Sequence, residues 1–249
     1  MHKPLIWTLV ALSVVACKPS GTLSVDDTSD MNTASNSFSD PIDDAALFDP
    51  QHVIEVEIDL DSADWSTLRG QYRDFYEVLG GDCLSTPFES PFTEFEAEVT
   101  VDGETIEGVS IRKKGFFGSL SEDKPSLKIK TDTFVDGQFM ADGTERLTLN
   151  NNVQDPSLIN QCFGYGLFRA AGIPAPRCNF AVVSVNGEDL GVYSHVEAVK
   201  KDFLKRHYDD IDGDLYEGTL SDLHDGWTET FDPKTRDTDV ERGVIHEIS

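Results

Sequence analysis

Residues 93–112 read TEFEAEVTVDGETIEGVSIR, and this stretch predicts two antiparallel strands joined by a tight turn. Apolar residues alternate with glutamates along its first half, which is the period of a half-buried strand. Asp102 and Gly103 then supply the residue pair that favours a two-residue hairpin loop. A second hairpin is predicted over residues 179–197, where an Asn-Gly pair takes the same place.

The rest of the folded part adds further strands and a few helices. Alternating patterns predict strands over residues 53–60 and 126–131. Apolar residues at helical spacing predict helices near 61–72, 155–172 and 200–207. The predicted fold class is therefore α+β, with an antiparallel, hairpin-rich sheet and about three helices.

Composition excludes several partners. The 249 residues contain 20 Lys and Arg against 46 Asp and Glu, which gives a formal net charge of −26. Such an excess of negative charge repels phosphate backbones and anionic lipid headgroups, so we expect no nucleic-acid binding. A hydrophobic content of 39%, with 15 Phe, is sufficient for a core.

The amino terminus has the pattern of an export signal. Residues 1–17 read MHKPLIWTLVALSVVAC, with Lys3 before an apolar run that is short for a membrane span. The end of the run resembles a bacterial lipoprotein processing box, in which Cys17 becomes the acylated first residue. The alternative is an ordinary secretory signal in which Cys17 is incidental. The first interpretation predicts a signal peptide over 1–16 and an acidic Ser/Thr/Asp-rich tether over 17–47.

This interpretation predicts a location and a membrane partner. The protein would be exported to the bacterial cell envelope and held by a lipid anchor, at the outer membrane or the cell surface. In an oxidising compartment Cys83, Cys162 and Cys178 can form one disulfide and leave one thiol, and the sequence does not select the pair. Three buried, reduced thiols are the alternative. No Cys/His cluster has zinc-site spacing, and the Asp-rich turn at 209–214 does not match an EF-hand loop.

The stretch from 112 to 130 is unusually cationic. It reads RKKGFFGSLSEDKPSLKIK and holds six of the chain's 20 basic residues. A glycine-containing turn between two strands, flanked by cations, can bind phosphate groups through backbone N–H groups and lysines. It matches neither a Walker loop nor GxGxxG. The alternative is a solvated hairpin whose lysines pair with surplus carboxylates.

Three stretches, 112–130, 146–210 and 212–223, resemble the spore coat protein H (CotH) kinase family. The resemblance extends from about Phe48 to Lys234. It implies an atypical protein kinase of protein-kinase-like fold, with this chain covering the nucleotide lobe and the start of the second lobe. Such kinases phosphorylate Ser and Thr on secreted or coat proteins with ATP and a divalent metal such as Mg²⁺. A secreted or surface protein is then the expected substrate.

The resemblance implies five nucleotide-binding residues. Arg112 and Gly115 fall in the turn over the nucleotide, and Lys128 is the first candidate for a phosphate-contacting lysine. Lys124 is the second candidate. Glu197 matches a recurrent family glutamate near the nucleotide, with an ion pair to a neighbouring lysine as the alternative.

The catalytic segment of the family has no counterpart in this sequence. Family kinases place a catalytic Asp and a metal-binding Asn and Asp beyond the region of 212–223, whereas only a polar stretch over 235–249 follows Lys234. The expectation is a partial kinase-like domain over 48–234, truncated or standing alone, with no catalytic or metal-binding residues assigned. The alternative function is a non-catalytic surface or coat-assembly binding lipoprotein.

Overall fold

The computed structural model describes residues 46–79, 89–140, 142–211, 215–219, 221, 223 and 227–234. The predicted signal peptide, Cys17, most of the tether, Cys83 and the polar stretch 235–249 lie outside the described residues.

Seven strands close into a barrel in the order β1-β2-β3-β4-β5-β7-β6. Their bounds are β1 Val53–Asp59, β2 Phe95–Val101, β3 Glu104–Lys114, β4 Ser126–Lys130, β5 Arg146–Asn150, β6 Cys178–Val185 and β7 Glu188–Val196. Consecutive neighbours in this order are antiparallel, and the barrel is closed by a parallel pairing of β1 with β6, from Val53↔Phe180 to Ile58↔Val185.

Helices and two short strands lie outside the barrel sheet. The helices are α1 Ser62–Gly70, α2 Phe75–Leu79, α3 Asn160–Ala170 and α4 Lys201–His207. Short 3₁₀ helices cover Ala46–Phe48, Phe117–Ser119 and Thr228–Thr230. A separate two-stranded sheet pairs β8, Tyr216–Gly218, with β9, Phe231–Pro233. Within the described residues, no helix has the length and apolar character needed to cross a membrane.

The core fills the barrel because alternate residues of each strand point inward. On β4, Leu127 and Ile129 are fully buried, while Lys128 and Lys130 face outward, as the alternation predicts. Other fully buried interior residues are Ile54, Val109, Ile111, Leu147, Leu149, Ala181, Val183, Val185 and Tyr193. The outward residues of β3, β4 and β5 are thereby available for a site.

The predicted fold class was wrong. An α+β, kinase-like arrangement built on an antiparallel hairpin sheet was expected, whereas the chain forms a closed barrel of seven strands with a parallel closing pair. The two hairpins themselves were confirmed as β2–β3 and β6–β7. Hairpin signals are local, and they carry no information on the pairing of β1 with β6.

The helices differ from the sequence prediction in their ends. Helix α1 begins as predicted, since Asp61 Oδ1 accepts hydrogen bonds from Ala63 N at 2.7 Å and Asp64 N at 3.2 Å. Helix α3 begins only at Asn160, because the Asp155 carboxylate caps a turn that precedes it, with Asn160 N at 2.8 Å. No described residue of α3 is buried, and a disulfide links this helix to β6.

That disulfide joins Cys162 and Cys178, which are 16 residues apart. The structure therefore selects one of the three pairings that the sequence left open. Cys162 lies in the first turn of α3 and Cys178 is the first residue of β6. The bond fixes the start of an exposed helix to the barrel wall.

Candidate functional site

Four neighbouring strands present one row of side chains on the outside of the barrel. Arg112 of β3 pairs with Lys128 of β4, Lys128 pairs with Thr148 of β5, and Thr148 pairs with Val196 of β7. Since paired residues share a face, these four side chains lie side by side. Lys114 follows Arg112 by two positions and therefore points to the same side.

This row forms the floor of a cleft of about 950 Å³. The connection from β7 to α4, the β8–β9 sheet, the segments before β2 and helix α3 contribute further lining residues. Among the described residues, six cationic side chains line it: Arg73, Arg112, Lys114, Lys128, Lys200 and Lys234. Four acidic side chains also line it: Glu89, Glu197, Glu217 and Asp232. In a chain with a net charge of −26, such a concentration of cations is the electrostatic arrangement that an anion site needs.

The cations of the floor repel one another. Burial, together with the positive charges of Arg112, Lys200 and Lys114, lowers the pKa of Lys128 to about 8. Burial and the neighbouring Arg112 likewise lower the pKa of Lys114 to about 8. Within the described part of the chain Lys128 has no hydrogen-bond partner, whereas Lys114 Nζ donates to Asn150 Oδ1 at 2.6 Å. A bound anion would relieve this crowding.

The acidic groups of the cleft neutralise only part of the positive charge of its lysines and arginines. Lys234 donates to the Asp232 carboxylate and lies 2.8 Å from Glu217 Oε2. Burial alone would lower the pKa of Lys234, but these two partners raise it above its usual value. Burial would raise the pKa of Glu217, and the hydrogen bond from Lys234 with the charges of Lys234, Lys128 and Lys200 lowers it instead.

Glu197 lines the cleft, but its carboxylate is already bound. Its side chain is 6% exposed and accepts hydrogen bonds from Arg177 N at 3.0 Å, from Arg177 Nη2 at 3.0 Å, and from Arg206. Within the described residues the ion-pair partners of Glu197 are Arg177 and Arg206, and not the neighbouring lysine that the alternative named.

The turn after β3 requires a glycine at its first position. Gly115 has φ +132°, and a Cβ there would lie 2.8 Å from Ser119 Oγ. The Phe116 N–H donates to Ser119 Oγ at 3.1 Å, so this amide forms a hydrogen bond within the turn. Gly115 lines the cleft and Gly118 does not.

The structure does not bring Lys124 into the cleft. Its Nζ donates to Val192 O at 2.9 Å and lies 4.9 Å from the centre of the Tyr193 ring. Of the five residues assigned through the family resemblance, Arg112, Gly115, Lys128 and Glu197 meet at one cleft. Lys124 instead contacts strand β7 of the barrel, at Val192 and Tyr193.

Sequence reasoning missed four cations that line this cleft among the described residues: Arg73, Lys114, Lys200 and Lys234. Lys114 had a usable signal, because it lies two positions after Arg112, although the predicted strand ended at Arg112 and β3 continues to Lys114. Arg73, Lys200 and Lys234 come from segments far from the cationic stretch, and no local pattern links them to it. Arg73 donates to Glu89 O at 2.9 Å and lies over the Phe116 ring at 5.6 Å.

A family model described as CotH kinase protein matches residues 111–245, more than half of the chain. This range begins on the cationic strand and includes every strand from β4 onward.

The chain belongs to the CotH kinase protein family.

Two curated relatives from Bacillus subtilis (strain 168) are similar to parts of the chain. "Inner spore coat protein H" is 33% identical over 88 residues, which is 32% of this chain and 24% of the relative. "Inner spore coat protein H-like protein" is 33% identical over 55 residues, which is 22% of this chain and 18% of the relative. The matched segments thus cover a quarter or less of the length of these relatives. Membership of the CotH family agrees with the resemblance seen in the sequence.

Proposed function

We propose that the cationic cleft binds the triphosphate of ATP, and that this CotH-family chain takes part in phosphorylating Ser or Thr on secreted or surface proteins. The observation that carries the proposal is the convergence of Arg112, Lys114 and Lys128 on one face of the barrel. Burial and mutual repulsion hold the pKa of both lysines near 8. Phosphoryl transfer depends mainly on positioning and on neutralising phosphate charge, which this arrangement can supply.

The described residues fit the phosphates of ATP better than they fit a protein-held metal. Arg112 can present two N–H groups to one phosphate, while Lys114, Lys128 and Lys200 add point charges beside it. Within the described residues there is no group of three or more His, Cys, Asp or Glu that could hold a metal ion. The Mg²⁺ that family kinases use would therefore enter the cleft bound to ATP.

Nucleotide binding can be tested by calorimetry and by the shift of the melting temperature with ATP, ADP and AMP. The shift should decrease in that order, because each lost phosphate removes contacts with the cationic floor. Lys128→Ala should abolish most of it. Lys130→Ala is the matched control, since Lys130 faces outward on the same strand and does not line the cleft.

The result that would contradict the proposal is no shift at millimolar ATP in the wild-type chain. That outcome would favour the other function, a non-catalytic binding lipoprotein of the surface or coat. The names of the two relatives place those proteins in the inner spore coat, and an external or coat location is proposed here on that basis. Transfer itself would be measured as ³²P incorporation from [γ-³²P]ATP into secreted proteins of the same organism.

We also propose that the chain is exported and anchored by lipid on Cys17. The support is the charged and apolar pattern of residues 1–17, which ends in a cysteine. The test is membrane fractionation with labelled palmitate. Label and membrane association should both be lost in Cys17→Ser, and unlabelled wild-type protein in the soluble fraction would contradict the anchor.

A further inference from the structure

A buried carboxylate joins three segments at one wall of the cleft. Glu197 follows directly after β7, Arg177 directly precedes β6, and Arg206 lies in the last turn of α4. Glu197 accepts hydrogen bonds from both arginines and from the Arg177 backbone N–H. The Arg177 guanidinium also lies 4.3 Å from the centre of the Phe48 ring. These contacts fix Glu197 on its side of the cleft.

Lys200 lies in the sequence between Glu197 and Arg206, whose ion pair is called the clamp below. It stands three residues after Glu197 and immediately before α4, and its carbonyl accepts the first helical hydrogen bond from Leu204 N at 3.0 Å. In the described part of the chain its ammonium group has no hydrogen-bond partner. The position of Lys200 therefore depends on the backbone from 197 to 200, which the Glu197–Arg206 contact holds at both ends.

We propose that Glu197 is a positioning residue, which clamps α4 through Arg206 so that Lys200 faces a phosphate bound on the cationic floor. The inference rests on the proposed function and deepens it. Direct contact between Glu197 and a phosphate is excluded by charge, and three donors already occupy its carboxylate.

The sign of one substitution separates positioning from simple electrostatics. Glu197→Gln removes a negative charge beside an anion site, so electrostatics alone would strengthen ATP binding. Loss of the contact between Glu197 and Arg206 would release Lys200 from its position and would weaken ATP binding. We expect Kd for ATP to rise, approaching the increase of about tenfold that loss of one charged hydrogen bond in Lys200→Ala should cause. An unchanged or lower Kd overturns the inference.

A double-mutant cycle tests whether the effect passes through Lys200. Arg206→Gln removes the contact with α4 and keeps the Glu197–Arg177 pair, so it serves if Glu197→Gln does not fold. Combined with Lys200→Ala, Arg206→Gln should add little to the loss of affinity; combined with Arg112→Ala, the two losses should multiply. If the losses of ATP affinity multiply in both double variants, the inference is overturned. A general loss of positive charge or of stability predicts that result.

A measurement without nucleotide keeps this inference separate from the proposed function. In the ligand-free chain, an amine-reactive reagent followed by peptide mass spectrometry gives the relative labelling rates of Lys200 and Lys128. Glu197→Gln should change the rate at Lys200 by severalfold and leave Lys128 nearly unchanged. An unchanged rate at Lys200 overturns the positioning role even if ATP binds, whereas absence of ATP binding with a changed rate overturns only the proposed function.

Discussion

Replacing Lys128 with methionine should stabilise the ligand-free protein. The pKa of Lys128 falls from 10.5 to about 8 because burial and three neighbouring cations disfavour its charged form. At pH 7 the side chain is charged in both the folded and the unfolded chain, so the folded state bears the whole penalty. Methionine has a similar length and no charge, and it removes both the burial cost and the repulsion.

The size of the effect follows from the shift. One pKa unit corresponds to about 1.4 kcal/mol, so the full shift would be about 3 kcal/mol. Lys128 is only partly buried, and solvent screening reduces this to about 1–2 kcal/mol. For a domain of this size the melting temperature should rise by about 2–8 °C. Lys130→Met, on the same strand and outside the cleft, should show little change.

The pH dependence gives the sharper assay. Because the folded pKa lies below the unfolded one, the unfolded chain binds more protons between about pH 8 and pH 10.5. The free energy of unfolding of the wild-type protein therefore rises with pH across that interval, and this rise is absent in Lys128→Met. The advantage of the variant, measured by urea denaturation, should thus be largest below pH 8 and decline above it. A variant less stable than wild type at pH 7, or an advantage independent of pH, would refute the crowding of cations.

Three further predictions concern binding and stability. The affinity for ATP, measured by calorimetry, should weaken as the pH rises above 8, because Lys114 and Lys128 lose charge there in the empty cleft; a constant affinity would argue against lysine contacts. Replacing Cys162 and Cys178 together with serine should lower the free energy of unfolding by about 3 kcal/mol in urea titrations, given the length of the closed loop. Asp61→Ala should cost about 1 kcal/mol through loss of the α1 cap, and an unchanged urea midpoint would contradict that role.

Local structure could be predicted from the sequence because local chemistry determines it. The Asp102-Gly103 and Asn186-Gly187 turns formed hairpins, and all four turn residues have positive φ angles, as this turn type requires. The inward and outward faces of β4 followed its alternation. Helix α1 begins near the predicted position, with Asp61 as its N-cap.

Closure of the barrel and most of the cleft could not be predicted this way. The pairing of β1 with β6 joins residues more than a hundred positions apart, and nothing in Val53–Asp59 specifies its second neighbour. Lys200 reaches the cleft only because β7 pairs with β5. Lys124 belongs to the same cationic stretch as Lys128, yet a backbone carbonyl of β7 binds it elsewhere.

The parallel seam between the first and sixth strands determines when folding can finish. Until Cys178–Val185 is synthesised, β1 has a partner on one edge only, and β5 has no β7 to pair with. Long-range pairing of this kind slows folding, because chain entropy is lost before the contacts form. A nascent or shortened chain ending before α3 would therefore expose two open sheet edges, the feature from which aggregation begins.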